Sequence, residues 1–152
     1  MKVGVLICLL LLVGSTTQDS AVQKGPFEEA TRTGDPTQIT FFLFSTSYGD
    51  YVISQYGLGE VGTPGRHLQF LLKTGRNGRV QRMYFREHEG DLLLSFEMGE
   101  TGYVRRMNQP TRKMRWLTPV DKSVINQCVV EGDEVRCDST KIDLKTGKIK
   151  DD

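Results

Sequence analysis

Cysteine and histidine are scarce in this sequence, with three and two copies among 152 residues. Neither His67 nor His88 has neighbours in a pattern typical of nucleophilic catalysis. His88 stands between Glu87 and Glu89, but alternation along a strand turns its ring away from both carboxylates. We therefore interpret this segment as a polar turn. The sequence predicts a non-enzyme, with no catalytic residue, no metal site and no cofactor.

Long hydrophobic runs are absent except for one near the N-terminus, from Val3 to Val13. A lysine precedes this run and small residues follow it, which is typical of a secretory signal peptide. The run is well short of the roughly 20 residues that a membrane-spanning helix needs. We predict a signal peptide over residues 1–15, with cleavage after Ser15 or after Thr17. The product is expected to be secreted and extracellular, without stable membrane insertion and without asparagine-linked glycans, because no Asn-x-Ser/Thr site occurs.

An excess of one charge is also lacking, since the chain has 20 Lys and Arg against 19 Asp and Glu. Removing the predicted leader takes away one lysine and brings the net charge to zero. This balance argues against a nucleic-acid binder. The charge is nevertheless unevenly distributed, because residues 66–122 hold 12 basic and 6 acidic side chains. This arginine-rich middle has the chemistry for bidentate contacts with polyanions.

The cysteines that are present have an informative spacing. Cys128 and Cys137 bracket a segment that has the pattern of a hairpin, with its turn over Glu131 to Glu134. Facing residues of two antiparallel strands bring their Cβ atoms close enough for a disulfide. The third cysteine, Cys8, lies in the predicted leader. We therefore predict a Cys128–Cys137 disulfide and no free thiol in the mature chain, as expected for an exported protein.

Most of the remaining chain has a β pattern. Short apolar runs are separated by glycines and by turn pairs such as Asn77-Gly78, and no stretch shows a sustained helical stripe. We predict an all-β fold, an antiparallel meander of about ten strands, as one domain over residues 38–150. Residues 16–37 are polar and are expected to form an irregular N-terminal segment.

The dipeptide Gly-Asp marks an internal repeat. It occurs at residues 49–50, 90–91 and 132–133, and each copy precedes a predicted strand that leads to a hairpin. The spacing predicts three repeats of about 41 residues. Four short strands per unit at this period are typical of a β-propeller blade.

The most specific motif lies within residues 130–149, where a Gly-Asp turn is followed by Asp143-Leu144-Lys145-Thr146-Gly147-Lys148. This stretch resembles one repeat of the quinoprotein-type (PQQ-like) β-propellers, in which a Gly-Asp turn and an Asp-x-x-Thr-Gly-Lys hairpin each join two strands. Trp116 matches the tryptophan that usually follows this hairpin, whereas Asp151 takes its place in the last unit. The resemblance implies a quinone only in family members with a complete ring, so no cofactor residue is carried over.

Three units are fewer than the roughly four to eight blades of a propeller, so several architectures stay open. One is a partial, three-blade propeller, either a fragment or completed by other copies in a homo-oligomer. The other is a self-contained barrel or two-sheet sandwich. The self-contained domain is favoured because it needs no missing blades, and a closed barrel also removes exposed strand edges.

Five cations surround one predicted hairpin of the basic middle: Arg105, Arg106, Arg112, Lys113 and Arg115. In the second strand Met114 and Trp116 alternate with two of these cations, which directs the apolar pair inward and the cations outward. We predict a polyanion-binding surface on a secreted, non-catalytic binding or extracellular-matrix protein, whose partner is an acidic polymer or protein. The alternatives are a small-ligand carrier with a closed barrel and a degenerate fragment of a quinoprotein-like propeller.

Overall fold

The computed structural model describes residues 25–35, 37, 39–55 and 79–152, and these residues are mostly in strands. Their twelve strands are β1 Glu28–Glu29, β2 Thr31–Gly34, β3 Thr40–Thr46, β4 Gly49–Ser54, β5 Val80–His88, β6 Asp91–Met98, β7 Thr101–Asn108, β8 Met114–Val120, β9 Cys128–Glu131, β10 Glu134–Cys137, β11 Thr140–Asp143 and β12 Ile149–Lys150. A 3-10 helix over Lys122–Gln127 joins β8 to β9. The predicted leader and the predicted Asn77-Gly78 turn lie outside the described residues.

The strands form three antiparallel sheets. The first sheet has the order β2-β3-β4, the central sheet β1-β5-β6-β7-β8 and the last sheet β12-β11-β10-β9. The all-β antiparallel prediction is confirmed, with twelve strands in place of about ten. No sheet in the described part of the chain closes into a barrel, and three sheets replace the two of a sandwich, so both of these predictions are wrong. No helix within the described ranges is long and apolar enough to cross a membrane.

The polar N-terminal segment contributes two short strands, although residues 16–37 are expected to be irregular. Glu28 and Glu29 pair with Phe85 and Tyr84 at the edge of the central sheet. Residues 31–34 then pair with β3 in the first sheet, and Ala30 between them is buried. The sequence pattern does not reveal these strands because all of their side chains are exposed. They form because their backbone groups make hydrogen bonds with the edges of two sheets.

Strand β6 lies at the centre of the molecule, and all eight of its residues are buried. Leu92, Leu94 and Phe96 belong to a core between the first and central sheets. Leu93 belongs to a second core, which joins the central sheet to the last sheet. Since successive side chains of a strand point to opposite faces, the three sheets are stacked with β6 in the middle layer.

The predicted disulfide closes the hairpin of β9 and β10. Cys128 and Cys137 are direct cross-strand partners, their sulfur atoms are bonded, and their Cα atoms are 4.0 Å apart. Both residues are buried in the second core. The turn lies at Gly132 and Asp133, within the segment that the sequence predicts for it.

The Gly-Asp dipeptides all lie at hairpin turns, but they occupy shifted positions. Gly49, Asp91 and Glu134 each begin the second strand of their hairpin, and the pairing registers make them equivalent. These residues are 42 and 43 positions apart. The structural period is therefore slightly longer than the dipeptide spacing of 41 and 42, because each Gly-Asp pair stands one residue earlier in its turn than the previous pair.

The turn that joins β11 to β12 is built around Asp143. Its Oδ1 accepts hydrogen bonds from the backbone nitrogen of Thr146 (2.7 Å) and from the Thr146 hydroxyl (2.9 Å). The Asp143 backbone nitrogen donates to the carbonyl of Lys148 at 2.8 Å. Gly147 has φ +72°, in the left-handed region that glycine adopts without steric cost.

The turn that joins β7 to β8 has the same hydrogen bonds. Asn108 Oδ1 accepts from the Thr111 nitrogen (3.0 Å) and hydroxyl (2.7 Å), and the Asn108 nitrogen donates to the Lys113 carbonyl at 2.9 Å. Arg112 takes the left-handed position, with φ 59°. This unit has Thr111-Arg112-Lys113 in place of Thr-Gly-Lys, and it nevertheless forms the same turn.

The β11–β12 turn packs directly on the central sheet. The carbonyl of Leu144 accepts hydrogen bonds from Trp116 Nε1 (2.9 Å) and Arg106 Nη1 (2.6 Å), and the carbonyl of Gly147 accepts from the Thr118 hydroxyl (2.5 Å). A Cβ atom at Gly147 would lie 2.5 Å from Trp116 Cγ. Position 147 therefore requires glycine for two reasons, the left-handed backbone conformation and the lack of space beside the indole of Trp116.

Replacing Gly147 by alanine should strongly destabilise the protein, by about 3 kcal/mol, because the left-handed conformation and the clash with Trp116 both add to the cost. Gly132→Ala is the matched control, since Gly132 also has a positive φ (58°) but has nothing within 4 Å of a Cβ. It should lose only about 1 kcal/mol. Urea unfolding of both variants measures the difference, and equal losses would show that the Trp116 contact is unimportant.

Candidate functional site

The five cations of the predicted polyanion surface lie in three different environments. Arg105 is only 3% exposed, on the face of β7 that looks toward the first sheet. Burial lowers the pKa of its guanidinium to about 10. The prediction that Arg105 contacts a partner at the surface is therefore wrong. The alternation of side chains does not predict exposure here, because β7 is an inner strand of the sheet and both of its faces are covered.

Arg106 and Arg115 both bind the carboxylate of Asp91. Their Nε atoms donate to Asp91 Oδ2 at 2.5 Å and 2.6 Å, and Asn108 Nδ2 donates to Oδ1 at 3.0 Å. The side chain of Asp91 is 1% exposed, that of Arg106 12% and that of Arg115 48%. Arg106 is therefore mainly part of the interior, whereas Arg115 extends from Asp91 to the surface.

The surroundings of Asp91 keep it ionised. Burial by itself would raise the pKa of this carboxyl, but hydrogen bonds from Arg115, Asn108 and Arg106, together with the charge of Arg106, lower it below the ordinary value. A buried carboxylate with two guanidinium partners is costly to disrupt, because removing the negative charge leaves cations without compensation. We assign this cluster a structural role in holding β6, β7 and β8 in register.

Arg112 and Lys113 are exposed in the β7–β8 turn. The expected alternation in β8 is only half correct, because Trp116 is buried but Met114 is 39% exposed. Arg112, Lys113 and Arg115 are therefore the three predicted cations that reach the surface. We call this set the turn cations.

Glu87 and His88 end β5, and Glu89 begins the turn to β6. The side chain of Glu87 makes a contact between two sheets. Both of its carboxylate oxygens accept hydrogen bonds from Ser47, one from the backbone nitrogen and one from the hydroxyl at 2.7 Å. This contact joins the first sheet to the central sheet. Among the described residues, no group of three or more His, Cys, Asp or Glu side chains is arranged to hold a metal ion.

A second candidate site, which the sequence did not predict, is a cavity of about 600 Å³ where β1 and β2 pass between two sheets. We call it the acidic notch. Its described lining residues are Glu28, Glu29, Thr31, Leu43, Phe44, Ser45, Asp50, Tyr51, Val52 and Phe85. These residues come from five strands, so only the tertiary structure brings them together. The nearest signal in the sequence is the paired acids at 28–29, which pattern reasoning assigned to an irregular segment.

No family model matches this chain, and neither the curated proteins nor the solved structures contain a match to it. The resemblance of residues 130–149 to quinoprotein-type repeats therefore stays a prediction.

Replacing Asp91 by asparagine should cost about 3 kcal/mol of stability, because Arg106 then stays buried without a counter-charge. Asp133→Asn is the control, since that side chain is 89% exposed and lies 3.4 Å from Lys150. We expect the control to change stability by less than about 0.5 kcal/mol. Chemical unfolding at neutral pH compares the two variants.

The Asp91 carboxylate should make the free energy of unfolding depend on pH in the acid range. The pKa of Asp91 is lowered in the folded protein, so its stabilisation is complete above the ordinary value of about 3.9 and is lost as the pH falls through the lowered value. Below about pH 4 the native protein should therefore lose stability more steeply than Asp91→Asn. Parallel slopes for the two proteins in acid would contradict this assignment.

Proposed function

We propose that this protein is an exported, non-catalytic binding protein that contacts an acidic polymer or protein through the turn cations Arg112, Lys113 and Arg115. The observation that carries the proposal is the exposure of these three side chains on one turn and the strand that follows it. Arg105 and Arg106 are no longer included, since the first is buried and the second is held against Asp91 and Leu144.

The geometry of Arg115 suits an anionic partner. Its Nε is the atom that meets Asp91, and 48% of the side chain is exposed. The terminal nitrogens of the guanidinium can then approach a sulfate or carboxylate as a planar pair of donors. Because Asp91 holds the guanidinium through its Nε, Arg115 loses less conformational freedom on binding than a mobile surface arginine does.

The turn that presents Arg112 and Lys113 is also well defined. Asn108 holds it through its side chain and its backbone, including the bond to the Lys113 carbonyl at 2.9 Å. The left-handed conformation of Arg112 directs the chain into β8. A rigid backbone with exposed cations supports binding because the contact surface is ordered before the partner arrives.

Export is supported by the cysteines and by the predicted leader. The Cys128–Cys137 disulfide joins cross-strand partners in the last sheet, and such bonds persist in oxidising compartments. The predicted signal peptide over residues 1–15 accounts for the route. Self-association of the chain stays a separate prediction.

The closed-barrel carrier loses its structural basis, because no sheet closes into a barrel within the described residues. The alternative that the chain is a degenerate fragment of a quinoprotein-like propeller stays a prediction. The chain is a stack of three sheets in the part that the structure describes. Binding at its surface is therefore the function that its geometry supports best.

The proposal is tested by replacing Arg112 and Lys113 together with glutamine and measuring binding to heparin at low ionic strength. Affinity should fall roughly fivefold to tenfold, since each exposed cation contributes up to about 1 kcal/mol. Arg115 is left in place because its contact with Asp91 also supports the fold. Calorimetric titration at about 50 mM salt gives the affinity.

The matched control is Lys145→Gln/Lys148→Gln, which removes two exposed cations from the equivalent turn between β11 and β12. Heparin affinity should be much less affected in this control. Equal losses in the two variants would indicate a response to overall charge alone. Unchanged binding after loss of Arg112 and Lys113 would remove the proposal.

A further inference from the structure

The part of the chain that comes just before β2 lies along the edges of two sheets. It consists of residues 25–30, and we call it the arm. The backbone nitrogen of Phe27 donates to the carbonyl of Cys128 in β9 at 2.9 Å, and that of Ala30 donates to the carbonyl of Met83 in β5 at 2.9 Å. Between these two bonds, β1 pairs with β5 at the edge of the central sheet. The backbone of the arm is therefore bound to strands that are distant in the sequence.

Two buried side chains and a buried arginine give the arm a specific place. Phe27 is 4% exposed in the second core, and Ala30 is 4% exposed in the core between the first and central sheets. Arg86 is 6% exposed, and its Nη2 donates to the carbonyl of Gly25 at 2.9 Å and to that of Pro26. We call the edges of β5 and β9, together with Arg86, the arm seat. It accepts an extended segment that has an aromatic residue followed three positions later by a small one.

An empty arm seat would be unfavourable for three reasons. The backbone groups at the edge of β5 would lose their partners, because the arm is the neighbour of β5 on that side. The guanidinium of Arg86 would lose two acceptors at a position with little access to water. A cavity would also open in the second core where the ring of Phe27 packs. A chain whose arm has left the seat should therefore bind another segment of the same kind.

The arm can leave its seat while β2 stays in place. Strand β2 forms a hairpin with the strand that follows it, and Gly34 pairs with Thr40 there. All four side chains of β2 are exposed, so its position depends on this local pairing. The chain passes from the central sheet to the first sheet between Ala30 and Thr31. Rotation about this junction therefore moves the arm as a unit.

We propose that the arm seat is an interaction surface for a second copy of this chain, and that two copies exchange their arms. The occupant is identified by its sequence, because the arm of another copy has the same aromatic and small residues at the same spacing. Exchange keeps every contact within the seat and changes only the junction to β2, which makes it a low-cost route to a two-fold dimer. The second core is then completed by Phe27 of the partner subunit. This surface is separate from the turn cations and does not depend on the proposed function.

The test uses the mature chain with single cysteines at the cross-strand partners Glu29 and Tyr84. The double variant Glu29→Cys/Tyr84→Cys should form a disulfide within one chain, which establishes that the pair can be bonded. Chains with Glu29→Cys alone and Tyr84→Cys alone are then refolded together from urea, with the native Cys128–Cys137 bond intact, and oxidised. A covalent dimer that contains one chain of each kind is the expected product, and intact-mass measurement identifies it.

A mixture of Glu29→Cys with Lys145→Cys is the matched control, because Lys145 is an exposed residue of the β11–β12 turn and is not a partner of the arm. It should give only the background of random dimers. A disulfide within the double variant, together with a mixture that stays at this background, would overturn the proposal and confine the arm to its own chain.

The second cross-strand pair, Glu28 with Phe85, allows the same experiment on the opposite face of β1. It decides the case in which Tyr84→Cys fails to fold or to form a disulfide. If neither double variant forms a disulfide within one chain or between chains, the arm does not lie on β5, and the proposal is likewise overturned.

Two further changes identify what holds the arm of the partner copy. Phe27→Ala, added to both single-cysteine chains, should reduce the covalent dimer at least about tenfold, because the ring is the main buried part of the arm. Glu28→Ala changes an exposed side chain of the same arm and should leave the yield unchanged. Urea unfolding followed by the fluorescence of Trp116 separates a weakened arm from a lost fold. Equal yields for the two variants would contradict binding of the arm in the seat.

Discussion

The burial of β6 on both faces is the constraint on which the rest of this structure depends. One face of the strand, with Leu92, Leu94, Phe96 and Met98, is apolar and packs in the core that it shares with the first sheet. The other face alternates with it and carries Asp91, Leu93, Ser95 and Glu97. A strand covered by sheets on both sides must satisfy every polar group on it, because water is excluded.

Each polar residue of β6 has such a partner, and each partner joins neighbouring elements. Asp91 holds Arg106 and Arg115, Ser95 donates to the carbonyl of Ile125 at 2.7 Å, and Glu97 accepts from Arg82 at 2.7 Å. The cations of the middle segment are therefore divided between the interior and the surface. Arg82 and Arg106 pair with buried acids, Arg112 and Lys113 are exposed, and Arg115 does both, because it binds Asp91 and extends to the surface.

The turns that follow β7 and β11 link each sheet to the one before it. Leu144 in the later turn receives hydrogen bonds from Trp116 and Arg106, and Gln109 takes the same position in the earlier turn. Gln109 Oε1 accepts from the Tyr51 hydroxyl at 2.9 Å and the Thr46 hydroxyl at 3.0 Å in the first sheet. The repeated Asn/Asp-x-x-Thr turn therefore positions a docking residue, polar in one unit and apolar in the next.

The β class, the disulfide-bonded hairpin and its turn could be predicted from the sequence, because these features depend on residues close together in the chain. Alternation, the spacing of Cys128 and Cys137, and the Asp143 turn are all local signals. Which arginines are exposed could not be predicted in this way, since β7 has two covered faces and the acid that binds Arg106 and Arg115 lies on another strand. The acidic notch could not be predicted either, because its lining residues come together only when residues 28–31 pair with the edges of two sheets.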